Sequence, residues 1–127
     1  MFEKLELTRM AQSLAAHSGA RMAVIAENVA NADTPGYKAK DMPVFSEVFA
    51  DHGGDMRATR AGHLTEAAAS PLPKPDLVRG HEAPNGNSVS LEAEMVKSVE
   101  ARQSHDMALA IYRATSDVIR ASLGRPR

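Results

Sequence analysis

Apolar residues recur every three or four positions near both ends of the chain, and this pattern predicts two long helices. The first helix covers residues 3–31, and small residues flank its apolar stripe. The second covers residues 90–123, with Ser90 as its expected N-cap. The residues expected to pack the helices are Leu14, Met22, Ile25, Val29, Leu91, Met95, Val99, Ile111 and Val118.

The middle of the chain has a different pattern. Residues 34–89 are rich in Gly and Pro, and their apolar positions show no sustained period. Short strands are compatible with residues 43–49 and 56–59, but most of this part is expected to be irregular, or disordered until it meets partners. The predicted fold is therefore mainly α, with two terminal helices paired as a coiled coil. Its three parts are residues 1–33, 34–89 and 90–123.

A pair of helices alone buries little surface. Aromatic residues make up only 4% of the chain and Trp is absent, so large side chains contribute little to a core. Small domains with so little core are marginally stable. The remaining apolar surface is therefore expected to be buried against other chains in an assembly.

Composition and motifs argue against catalysis and against several kinds of ligand. The net charge of −1 gives no basic footprint for nucleic acid, and the absence of Cys excludes disulfides and thiolate metal sites. The five His residues form no i,i+4 pair, and no Gly-rich phosphate loop follows a strand. The N-terminus does not have the pattern of a Sec-type signal peptide. We therefore predict no enzymatic activity, cofactor, metal or small-molecule substrate.

The stretch NVANADTPGYK, residues 28–38, ends the first helix. Pro35 and Gly36 fit the two central positions of a type II turn, which needs a positive φ at the second. Asn31 is expected to be left-handed, and Asn28 is expected either to cap a free carbonyl or to bond to a neighbouring segment. A helix stop explains these features, but it needs only one or two special residues.

The crowding of such residues is explained by a family resemblance. The run NVANADTPGYKAKD resembles the N-terminal signature of the bacterial flagellar axial proteins, which form the rod and hook. The continuation into Val44 and Phe45, the short chain and the start of the last helix, NSVSLEAEM, resemble the FlgB type of proximal rod protein. Residues 59–64 resemble a Thr-x-x-His segment of that family. The residues carrying the family motif are Asn28, Ala30, Asn31, Thr34, Pro35, Gly36 and Tyr37.

The resemblance implies a structural subunit of the proximal rod of the flagellar basal body. Such proteins are exported by the flagellar type III apparatus without a cleaved signal, and their terminal helices then pack together. The implied partners are copies of the chain, other rod proteins, the export apparatus and its gate, and the MS ring at the rod base. Two alternatives are another rod component of this family and a small helical chaperone or adaptor of a secretion system.

Overall fold

The computed structural model describes residues 2–51, 72–80 and 82–124. Two long helices dominate the described part of the chain and pack against each other, which confirms the predicted mainly α architecture. The elements in chain order are α1 (Phe2–Ala30), β1 (Lys40–Asp41), α2 (Phe45–Asp51), β2 (Asp76–Leu77) and α3 (Leu91–Ser122).

The interface between α1 and α3, which we call the seam, has a seven-residue period. The helices are antiparallel, because Asn28 bonds to Glu94 while Arg21, two turns earlier, lies near Glu100. A seven-residue repeat is the spacing that keeps one line of a helix facing a partner. The buried seam residues are Ala11, Ser18 and Ile25 on α1, and Glu94, Ala101, Ala108 and Thr115 on α3. Most are small, so the helix backbones approach closely.

The ends of α3 follow the local sequence. The Ser90 hydroxyl accepts a hydrogen bond from the backbone N–H of Ala93, which confirms the predicted N-cap. At the other end, the backbone N–H of Leu123 donates to the carbonyl of Ile119, and Gly124 follows with a φ of +85°. A glycine with positive φ directly after a helix is a common C-terminal stop.

The connecting segment forms a small layer beside the helices. β1 and β2 pair antiparallel, with Lys40 opposite Leu77 and Asp41 opposite Asp76. Ala39 and Met42, at the two ends of β1, are buried. The buried residues on both sides of β1 therefore hold the segment after the turn against the helical pair.

The strand predicted around residues 43–49 is wrong, because α2 begins at Phe45. Phe45 and Phe49 lie one helical turn apart, and their ring centroids are 5.5 Å apart. The Phe45 ring also meets the His17 ring edge-on at 5.6 Å, and His17 Nε2 donates to the Pro43 carbonyl at 2.8 Å. Packing against α1 thus favours helical spacing over alternation in this segment.

Other predictions in the middle of the chain are not tested. The strand at residues 56–59 and the Thr-x-x-His segment at residues 59–64 lie outside the described residues. The division into residues 1–33, 34–89 and 90–123 also stays a prediction. None of the helices in the described ranges combines the length and the hydropathy that crossing a bilayer requires.

Candidate assembly site: the turn motif and the exposed helix faces

The chain reversal after α1 is a type II turn, as the sequence predicts. Gly36 has a φ of +74°, and the Tyr37 N–H donates to the Thr34 carbonyl at 3.2 Å. The prediction that Asn31 is left-handed is wrong, since no non-glycine residue in the described ranges has a positive φ. Instead the last turn of α1 tightens, and the Asn31 N–H contacts the carbonyls of both Glu27 and Asn28. Such i→i+3 bonds are an alternative way to satisfy a helix end.

Asn28 connects α1 to both β1 and α3. Its side chain is fully buried. Oδ1 accepts from the Lys40 N–H at 3.0 Å, while Nδ2 donates to the Lys40 carbonyl at 2.6 Å and to Glu94 Oε2 at 2.9 Å. The side-chain amide thus pairs with one strand residue as a neighbouring strand would. Of the two roles predicted for Asn28, the bond to a neighbouring segment is the one observed.

Asn87 caps the C-terminus of α1 from the distant end of the connecting segment. Its buried Nδ2 lies 2.8–2.9 Å from the carbonyl oxygens of Asn31, Ala32 and Thr34. Oδ1 accepts from the Val89 N–H at 2.7 Å, which fixes the orientation of the amide. Since an amide carries two N–H bonds, at least one of them is shared between two carbonyls. One side chain therefore satisfies three carbonyls at the helix end.

Two glycine turns lie back to back at this point. Gly86, with a φ of +80°, follows Asn85, whose carbonyl accepts from the Gly36 N–H at 3.0 Å. A Cβ at Gly86 would lie 3.4 Å from the Cα of Gly36. This close approach, together with the positive φ, favours glycine at position 86.

A charged cluster closes the same end of the helical pair. Arg21 makes a bidentate pair with Asp41, with distances of 2.9 and 3.1 Å. Lys97 lies 2.9 Å from Glu94 and 3.5 Å from Asp41. Burial alone would raise the pKa of Asp41, but hydrogen bonds from Arg21 and from the Met42 N–H lower it below its ordinary value. The hydrogen bond to Asp41 in turn raises the pKa of Arg21.

An exposed pair lies beside the buried amide of Asn28. Lys40 Nζ lies 2.9 Å from Glu27 Oε1 and 5.8 Å from the centre of the Tyr37 ring. The hydrogen bond from Lys40 lowers the pKa of Glu27, and the same bond raises the pKa of Lys40. The Tyr37 hydroxyl lies 3.3 Å from Glu27. Burial raises the pKa of Tyr37. Because Glu27 and Lys40 are open to solvent, their pairing orients side chains more than it stabilises the fold.

The residues of α1 and the turn motif match a known protein family. Residues 10–38, which cover most of α1 and the turn motif, match the model of the flagella basal body rod protein family. The chain is 31% identical to the flagellar basal body rod protein FlgB of Agrobacterium fabrum over 121 residues, 88% of each chain. It is also 31% identical to FlgB of Salmonella typhimurium over 101 residues, which is 72% of this chain and 73% of the relative. The chain belongs to the flagellar basal body rod protein family, and to its FlgB type.

In this rod protein, the motif residues divide between buried and exposed positions. Asn28 is buried, and Asn31 and Tyr37 are half-buried, whereas Ala30, Thr34, Pro35 and Gly36 are exposed. The buried members hold the turn to the helices, and the exposed ones form the tip of the loop. A role of the motif in assembly stays a prediction.

The residues predicted to pack the helices are also divided. Ile25 is buried in the seam, while Leu14, Met22 and Ile111 are half-buried. The exposed fractions of Val99 and Met95 are 66% and 69%, and Val29, Leu91 and Val118 are exposed as well. Their packing in an assembly is not tested by the single chain.

The α3 side of the seam was not recognised in the sequence. The conspicuous apolar stripe of α3 contains Leu91, Met95 and Val99 and continues with Met107 and Val118. The residues that face α1 are instead Glu94, Ala101, Ala108 and Thr115. Only the constant seven-residue spacing of these four residues, three of them small, marks them in the sequence. Nothing in the local sequence around Asn87 indicates that it caps a helix more than fifty positions away.

The described residues contain no cluster of three acidic or His side chains able to hold a metal ion. Within the same residues, every buried side-chain nitrogen and oxygen has a hydrogen-bond partner. The polar groups of the turn region are thus satisfied by one another. Their arrangement serves to fix the geometry of the chain.

Proposed function

We propose that this chain is a structural subunit of the proximal rod of the flagellar basal body and has no enzymatic role. Its helices assemble by packing against other subunits, with the turn motif setting the direction in which the connecting segment leaves α1. Membership of the FlgB type of rod protein supports this role.

The observation that carries the proposal is the exposed apolar stripe of α3. Met95, Val96 and Val99 each expose 60% or more of their surface, and Met107 and Val118 continue the stripe. Many large apolar side chains of α3 therefore lie outside, while its side of the seam contains mostly small ones. Extended exposed apolar surface of this kind marks an interaction site.

The partners that follow are protein surfaces. We propose that the chain contacts copies of itself and other rod proteins, and that it lies at the base of the rod near the MS ring and the export gate. Because identical subunits join by non-closing contacts, such interfaces generate helical assemblies. We further propose that the flagellar type III apparatus exports the chain without cleavage. The proposal requires no nucleic acid or small-molecule substrate.

The substitution Val99→Asp tests the role of the stripe. It places a carboxylate on surface that the assembly would bury, so we expect loss of swimming and of isolated basal-body rods in a strain with only this variant. The variant should still be expressed, with the helical circular dichroism of the parent. Val99→Ile is the matched control, since it keeps the position apolar and should retain motility.

Normal swimming and intact rods with Val99→Asp would overturn the proposed packing. Export is tested separately by comparing the mass of the chain in purified basal bodies with that of the newly made chain. Equal masses are expected, and a shorter chain in the rod would contradict export without cleavage.

A further inference from the structure

The seam between α1 and α3 nearly repeats itself when one helix is shifted by seven residues. Along α3 the seam positions are Glu94, Ala101, Ala108 and Thr115, and the next position in the series is Ser122. All except Glu94 are small. If α3 moved by one heptad, Ala101 to Ser122 would occupy the places of Glu94 to Thr115 with little change in packing.

The length of the connecting segment does little to prevent such a shift. Residues 31–90 connect the two helices. In a connection of this length, seven residues more or fewer change the closure entropy very little. Polar contacts must therefore select one alignment of the helices. The Asn87 cap holds the start of α3 near the end of α1, and the Asn28–Glu94 pair lies inside the seam itself.

Within the seam, the buried pair of Asn28 and Glu94 distinguishes the observed alignment from a shifted one. Asn28 is fully buried and Glu94 is 2% exposed, and their side chains are hydrogen-bonded at 2.9 Å. Lys97 also contacts Glu94 at 2.9 Å. In a shifted alignment Ala101 would face Asn28, and both polar groups would lose this partner. Glu94 would keep Lys97, which lies on the same helix, but the buried Asn28 amide would lose an acceptor, and an unsatisfied buried polar group is unfavourable.

We infer that the Asn28–Glu94 hydrogen bond fixes the register of α3 against α1. Buried polar pairs have this role in coiled coils, where they select one alignment among several that apolar packing alone would tolerate. A slip of seven residues would move the exposed stripe of α3 by about 10 Å relative to the turn motif. The register therefore decides which exposed residues of the two helices lie side by side.

Cysteine pairs can report the register, since the natural chain contains no Cys. Leu14 lies two heptads before Asn28, and Ala108 lies two heptads after Glu94, so these positions meet in the observed alignment. Leu14→Cys combined with Ala108→Cys therefore reports the observed register. Leu14→Cys with Thr115→Cys, or with Ala101→Cys, reports a shift of one heptad in either direction. A disulfide forms only where the two Cα atoms come within about 7 Å.

The test introduces Glu94→Ala into each of the three cysteine pairs. Alanine makes the whole α3 side of the seam small and favours helix, so the chain should keep its helical circular dichroism. We expect disulfide formation under mild oxidation to be confined to the 14–108 pair in the parent. In Glu94→Ala the yield of a shifted pair relative to 14–108 should rise about tenfold or more, since a factor of ten requires only 1.4 kcal/mol.

Two controls separate register from stability. Glu94→Gln keeps an acceptor for Asn28 and should give the parent pattern. Ile25→Ala weakens the seam by leaving a cavity but retains the polar pair, so it should also crosslink only through 14–108. Retention of the single 14–108 product in Glu94→Ala would overturn the inference. Loss of helical structure in Glu94→Ala would equally contradict it, because the pair would then be required for folding itself.

Discussion

Two regions of the helical pair, the loop end and the shaft, differ in what they bury and in what they expose. At the loop end, around Asn28, Asn87 and Asp41, the interior is polar and the buried groups bond to one another. Along the shaft, residues 6–25 and 95–122, the seam consists mostly of small residues, and large apolar side chains such as Met95, Val99 and Met107 face outward. The loop end satisfies its own polar groups, whereas the shaft leaves apolar surface without a partner. The loop end therefore fixes the geometry of the chain, while the shaft carries exposed apolar surface.

The largest expected effect is the difference in stability between a substitution in the seam and one on the exposed stripe. Ile25→Asp buries a carboxylate at a position that is 4% exposed, so we expect a loss of several kcal/mol of unfolding free energy, enough to unfold a small domain. Val99→Asp should change the stability of the isolated chain by no more than about 0.5 kcal/mol. Urea unfolding followed by circular dichroism measures both. Equal losses would remove the distinction between seam and stripe.

The next prediction concerns the cap at the loop end. Asn87→Ala removes the donor shared by three carbonyls and should cost about 1–3 kcal/mol of unfolding free energy. Asn87→Asp should cost more near neutral pH, because a carboxylate oxygen would replace the donor and face those carbonyls. Its defect should shrink in acid, where a protonated carboxyl can donate. An Asp variant as stable as the parent at pH 7 would show that the cap contributes little.

Asp41 makes the loop end sensitive to acid. Its pKa is lowered below the ordinary value of 3.8 in the folded chain, so folding favours the charged carboxylate. The resulting stabilisation is fully present above the pKa of the unfolded chain and is lost as the pH falls through the lowered pKa. We expect the stability difference between the parent and Asp41→Asn to be constant from pH 5 to 7 and to shrink below about pH 4. A difference that grows in acid would contradict the Arg21–Asp41 pairing.

The smallest effects compare one glycine in each region. Gly36 has a positive φ, so Gly36→Ala should destabilise the loop end by about 1 kcal/mol. Gly19 lies inside α1, and a Cβ there meets nothing within 4 Å, so Gly19→Ala should stabilise the shaft by about 0.5–1 kcal/mol. Thermal unfolding should show shifts of opposite sign. Shifts of the same sign would mean that backbone conformation does not distinguish the two regions.

The stronger substitution Gly36→Val should also block rod assembly in cells. A β-branched residue resists the positive φ of the turn. Isolation of basal bodies from a strain carrying this variant is the measurement. Intact rods containing it would show that assembly tolerates a different turn.

Much of the structure of the loop end could be predicted from the local sequence. The Pro35-Gly36 turn and the Ser90 cap follow from residues that act on their immediate neighbours, and both are confirmed. The prediction of a strand around residues 43–49 is wrong because Phe45 packs on His17, nearly thirty positions earlier. The prediction that Asn31 is left-handed is wrong for a related reason. Asn87 satisfies the carbonyls that a left-handed residue would otherwise have helped to satisfy.

By itself, the sequence determined the two helices, their approximate ends, the turn between them and the family. These depend on periodicity, capping and backbone preferences, which act within a few residues. Only the tertiary structure decided which face of α3 meets α1, and which distant side chains close the loop end. Periodicity shows that a helix has an apolar face, but close packing can favour a line of small residues, and here that line consists of Ala101, Ala108 and Thr115, with Glu94 at its start. The conspicuous stripe thereby stays exposed in the single chain, because a single partner helix covers only one side of α3.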